Sequence, residues 1–153
     1  MDEWNGVYGR DLFISFNEEK PKYFEDAIKV FETKPSFVVY DIIKILSTSP
    51  DYVDPDSDWK FTLTKDVNNP VLLEFDNFDG TKKAASPQLL LALLIKQHVK
   101  AITAKIGSKP KRIAYCMMGT EKDVADDKIH LGIKEAFSML KIDTFLLKFS
   151  CDY

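Results

Sequence analysis

A chain of 153 residues, 45% hydrophobic and 29% charged, carries material for one folded domain with a core, and is too apolar for intrinsic disorder. Its 21 Lys and Arg against 24 Asp and Glu leave a formal net charge of −3, which excludes a global polyanion-binding charge but not a local basic patch. The longest apolar run, Leu89 to Ile95, is too short to span a membrane, and the acidic start from Met1 to Arg10 holds no signal-peptide core.

Residues Asp11 to Phe16 read as a short strand. Pro21 stands where a helix can begin, and Phe24, Ala27, Ile28 and Phe31 follow at helical spacing. Glu25 and Lys29 form an i,i+4 pair in the favoured order, and Pro35 ends the segment. Ser36 is the candidate N-cap of a second helix through about Leu46, with Val39, Ile43 and Leu46 as its stripe. Ser47 to Asp58 is turn-rich and acidic, which predicts an exposed loop.

Trp59, Phe61 and Leu63 alternate with polar residues, and so do Val71, Leu73 and Phe75 after the Asn68-Asn69-Pro70 turn. That pattern predicts an antiparallel hairpin, and Asp79-Gly80 adds a tight turn and a short third strand. Ser86-Pro87 opens the strongest helix, with Leu91, Ile95, Val99, Ile102 and Ile106 as its stripe and Gly107 as its stop. Arg112 to Met118 is an apolar run typical of a buried strand. Thr120 can cap a helix with the stripe Ile129, Ile133, Ala136, Phe137 and Leu140, and Ile142 to Phe149 is a last strand. Strand, helix and strand in this order predict a parallel pair.

Few residues form a chemical constellation. Asp54, Asp56 and Asp58 are spaced like calcium-loop ligands, but Trp59 and Lys65 occupy the positions that need glycine and a bidentate acid, so a solvated acidic loop is expected. His98 and His130 share no helical metal-binding face and read as surface or partly packed residues. Cys116 lies in the apolar run and reads as a buried, inert thiol, and Cys151 as an exposed one. Two cysteines build no disulfide framework or metal knuckle, and a reducing, cytoplasmic compartment is expected. The six glycines include no phosphate-cradling motif, which argues against a nucleotide site built by this chain alone. Lys100, Lys105, Lys109, Lys111 and Arg112 gather at the end of the long helix, where cations suit the helix dipole. No catalytic, cofactor-binding or metal-binding residue is assigned, and no nucleic-acid or membrane partner is expected.

The segment Ser86 to Pro110 (SPQLLLALLIKQHVKAITAKIGSKP) resembles the seventy-kilodalton heat-shock chaperone family, in which a helix opened by Ser/Thr/Tyr-Pro runs to Gly-Lys-Pro and feeds a central strand of the first ATPase lobe. Lys34-Pro35 followed by Val38-Val39-Tyr40-Asp41 is similar to that family's Asn-Pro and Val-Phe-Asp, and Phe13 to Phe16 to its strand before the first helix. The three short strands between Trp59 and Ala85 fit as well, so the likeness covers roughly Phe13 to Phe149, with identities sparse outside Ser86 to Pro110.

The departures fall on the family's nucleotide chemistry. Its Gly-x-Asp-Leu-Gly-Thr-Thr phosphate hairpin has no counterpart in Met1 to Leu12. The position matching its catalytic lysine is Ile43, with Lys44 one residue late. Its Thr-Val-Pro-Ala switch corresponds to Cys116-Met117-Met118-Gly119, and its Asn-Glu-Pro-Thr motif falls near Phe149-Ser150-Cys151-Asp152, without the glutamate. The second lobe and the peptide-binding domain would lie beyond Tyr153.

The expected fold is α/β, a single domain over residues 1–153 resembling a partial actin-like ATPase lobe, with one mixed sheet and flanking helices. The resemblance implies a non-catalytic, truncated relative of the chaperone ATPase domain that acts through protein contacts, with ATP binding not expected. Two alternatives stand beside it: a small α/β enzyme using Cys116 or the acidic loop, and a fragment of a longer ATP-dependent chaperone. Self-association or a protein partner is expected at an apolar patch around Trp4, Tyr8 and Phe13, beside an open edge of the Phe13 strand.

Overall fold

The computed structural model describes residues 9–48, 58–117 and 127–147. Trp4, Tyr8, Asp54, Asp56, Met118, Gly119, Thr120, Phe149, Ser150, Cys151 and Asp152, which carry several of the expectations above, lie outside the described residues.

The fold is mixed α/β, and its described strands form three small sheets rather than one mixed sheet. The first sheet has β1 (Ile14–Ser15) between β2 (Lys22–Tyr23) and β3 (Val38–Val39), both antiparallel to it. The Phe13 strand is therefore central, and the open edge expected there is filled. The Phe13 ring stacks on Tyr40 at 5.0 Å and meets Phe31 edge-on at 5.9 Å, so it belongs to an internal aromatic cluster.

Pro21 precedes β2 instead of opening a helix, and helix α1 spans Glu25–Phe31. Its entry is set by Phe24, held at φ 58°, a rare conformation for an aromatic residue. The Phe24 ring is buried between two partners: the Arg10 guanidinium and the His98 imidazole each lie 5.1 Å from its centroid. Lys29 pairs with Asp26 at 2.8 Å instead of Glu25, which meets Arg10 at 3.1 Å.

Ser36 does not cap a helix. It sits in a 3₁₀ turn, Pro35–Phe37, because proline supplies the turn's φ, and Val38–Val39 then extend as the β-branched strand β3. Helix α2 begins only at Ile42 and runs to Ser47, with Ile42, Ile45 and Leu46 buried and Ile43 only partly so.

The second sheet is the antiparallel meander read from the alternation: β4 (Thr62–Thr64), β5 (Leu72–Asp76) and β6 (Lys82–Ala85). Leu73 and Phe75 are buried from β5, and Val71 precedes them in phase. Gly80, at φ 78°, makes the turn before β6. Phe16 stacks on Phe75 at 4.3 Å and ties the first sheet to the second.

Helix α3 spans Pro87–Ile106. Ser86 Oγ accepts from the Leu89 N–H at 3.2 Å, and Gly107 closes the helix at φ 78°, both as the sequence predicts. Leu91 and Val99 of the expected stripe are buried, but the buried face also takes in Leu90 and Leu94, both fully buried, while Ile95 and Ile102 are only partly buried and Ile106 is 58% exposed. The third sheet pairs β7 (Arg112–Tyr115) in parallel with β8 (Asp143–Leu146). Between them runs α4 (Asp127–Met139), which buries Ile129, Ile133, Ala136 and Phe137, the expected stripe apart from a partly buried Leu140. Gly132 lets α4 close on α2, since a Cβ there would stand 2.5 Å from a Leu46 methyl. One buried apolar cluster joins Ile14 and Val39 to Ile45, Leu73, Leu94 and Phe137.

Candidate functional site

Ile43, which the sequence resemblance sets against the chaperone family's lysine, is part-buried in the first turn of α2. Lys44, the nearest cation in sequence, is engaged elsewhere: its ammonium lies 5.6 Å from the Trp59 ring centroid. The same indole donates its Nε1–H to Asp41 Oδ2 at 3.0 Å, and Asp41 itself sits in the left-handed region at φ 56°. Asp41, Trp59 and Lys44 thus form one surface cluster, with opposite charges on the edge and the face of an indole. That arrangement holds the chain entering β4 against α2.

The second candidate is the parallel pair. Tyr115 Oη and His130 Nδ1 are 2.9 Å apart and lock β7 to α4, and burial raises the Tyr115 hydroxyl above its ordinary range. The register sets Ile113 beside Thr144 and Tyr115 beside Leu146, so these four share the face packed on α4. Arg112, Ala114, Asp143 and Phe145 take the other face. Parallel sheets are ordinarily covered on both faces. Here the second face carries Phe145, 47% exposed, and Leu147, 44% exposed, continues in phase.

The far edge of β8 is open as well, since among the described residues β8 pairs only with β7. Asp143 and Leu147 donate their N–H groups to the Lys111 and Tyr115 carbonyls at 2.9 and 2.8 Å. In a parallel ladder the residues bonded to one neighbour alternate with those turned away, so Thr144 and Leu146 direct their N–H and C=O groups to the far edge. Two clefts lie along it. One, of about 310 Å³, runs between His130, Leu131, Lys134 and Leu146. The other, of about 500 Å³, runs between Lys134, Ser138, Lys141 and Asp143. Leu131, 59% exposed, forms part of the wall.

The residues singled out in the sequence distribute unevenly over this site. His130 belongs to it; His98 does not, being packed beside Phe24. Cys116 is exposed, because β7 ends at Tyr115, so the buried thiol expected inside a strand is overturned. The basic cluster divides: Arg112 pairs with Asp143 at 3.9 Å, while Lys109 donates to the Leu140 carbonyl at 2.7 Å and secures the end of α4. Lys134, Leu131 and Phe145 escaped the sequence reading. Leu131 and Phe145 carried a signal, as apolar residues out of phase with the buried stripes. Among the described residues no three His, Cys, Asp or Glu side chains converge as metal ligands. No helix of the described residues is long and apolar enough to cross a membrane.

No protein-family model and no curated protein matches this chain.

Proposed function

We propose that the chain is a non-catalytic relative of the first lobe of the heat-shock chaperone ATPase, acting through protein contacts. The observation that carries the contact role is the half-exposed apolar pair Phe145 and Leu147 on a parallel strand whose far edge has no described neighbour. Exposed apolar surface joined to an unpaired edge is the kind of surface other chains bind. The relationship to the chaperone lobe is supported by element order: short antiparallel strands, a three-stranded meander, a Ser-Pro helix, then strand, helix and parallel strand. Its non-catalytic character is supported by Ile43 at the lysine position and by Lys44 being drawn to Trp59. Phosphoryl transfer depends on charges positioned at the phosphates, and neither residue supplies one there.

The test is co-purification with the tagged full chain. A partner should be recovered with the native sequence and with Val67→Asp, an exposed control, and lost with Phe145→Asp. Equal recovery with all three would oppose a contact role for this face.

A further inference from the structure

The far edge of β8 has a charge as well as a shape. Arg112, Lys134 and Lys141 line the 500 Å³ cleft with a single carboxylate, Asp143, in a chain whose formal net charge is −3. Lys134 lines both clefts, so one cation stands midway along the strand. Lys134 and Lys141 are exposed beside the outward backbone groups of Thr144 and Leu146, which have no ladder partner among the described residues. Lys141 is also held at φ 56°, in a position where glycine is usual.

We propose that this edge binds an extended acidic peptide segment of a partner protein, which adds as a strand to β8. The proposal names a partner class for the contact role above and rests on that reading. Strand addition draws affinity from main-chain hydrogen bonds and selectivity from alternate side chains. The incoming backbone bonds to the N–H and C=O groups of Thr144 and Leu146. One set of its side chains enters the cleft walled by Leu131 and His130, and the other set covers Phe145 and Leu147. Its carboxylates meet Lys134 and Lys141.

A second copy of this chain is the poorer occupant on charge. In a pairing of β8 with its own copy each strand offers the other a single carboxylate, Asp143, which already pairs with Arg112, so Lys134 and Lys141 gain little neutralisation. An acidic strand neutralises both lysines.

The experiment titrates the full chain with two fluorescent peptides, one alternating valine with glutamate and one alternating valine with lysine. Binding is read by anisotropy and by the amide resonances of the protein. The glutamate peptide should bind saturably and shift Thr144 and Leu146, while the lysine peptide should bind at least about tenfold more weakly. The double variant Lys134→Glu/Lys141→Glu should weaken the glutamate peptide by about tenfold or more and reverse the preference. Thr144→Pro removes the outward N–H together with the hydroxyl that donates to the Ile113 carbonyl at 2.8 Å, and should abolish binding, whereas Thr144→Val, which loses the hydroxyl alone, should keep it. Should Thr144→Pro fail to fold, the charge variant decides, since both lysines are exposed.

Equal binding of the two peptides, binding unchanged in the charge variant, or β8-dependent self-association of the chain would overturn the proposal. If the glutamate peptide fails while Phe145→Asp still loses a co-purified partner, the acidic-strand proposal falls and the contact role stands. If neither effect is seen, both fall.

Discussion

The Ile142 N–H donates to the Phe137 carbonyl at 3.2 Å, and the two buried side chains pack where α4 ends and β8 begins. With the Lys141 N–H on the Ser138 carbonyl at 2.9 Å, this is a Schellman closure, whose left-handed residue is here a lysine. Lys141→Gly should therefore raise stability, by about 1 kcal/mol in a urea melt. The same change should weaken an acidic strand at the edge of β8. A gain in stability without loss of peptide affinity would remove Lys141 from the binding surface.

The register of α3 is open to a paired test. Leu94 is fully buried and Ile95 only partly. Leu94→Ala should cost about 2–5 kcal/mol, and Ile95→Ala about 1 kcal/mol. Denaturant midpoints of the two variants check the order, and the reverse order would place the stripe where the sequence first suggested.

His98 supplies a pH dependence. Its pKa lies below the ordinary 6.5 because burial disfavours the charged ring, with the nearby Arg10 cation adding to the effect. The folded state thus favours neutral His98 more than the unfolded state does. The resulting stability is fully present above pH 6.5 and declines as pH falls through the lower folded value. Unfolding midpoints should drop between about pH 7.5 and about pH 5.5, and His98→Gln should flatten that slope. An unchanged slope in the variant would assign the dependence to another group.

Much of this fold was legible in the sequence where local chemistry and tertiary packing agree. Ser86-Pro87 and Gly107 bounded α3 because capping is a local interaction, and the meander followed from strict alternation around Val71, Leu73 and Phe75. The failures fall where neighbours override local signals. Pro21 and Ser36 have the chemistry of helix starts, yet Lys22–Tyr23 and Val38–Val39 were drawn into strands on either side of β1. The pairing of Ile14 with Val39 is long-range, and no local pattern announces it. Leu131, Lys134 and Phe145 went unnoticed because a surface site depends on which strand edge is left unpaired, and edges are defined only once the sheet is assembled.

Calorimetric titration of the full chain with Mg-ATP tests most directly the proposal that this chain works without nucleotide. With Ile43 at the lysine position and Lys44 held over Trp59, only the heat of dilution is expected up to about 1 mM ATP. Saturable binding at micromolar ATP, lost in Lys44→Ala, would contradict the non-catalytic reading and return Lys44 to the phosphates.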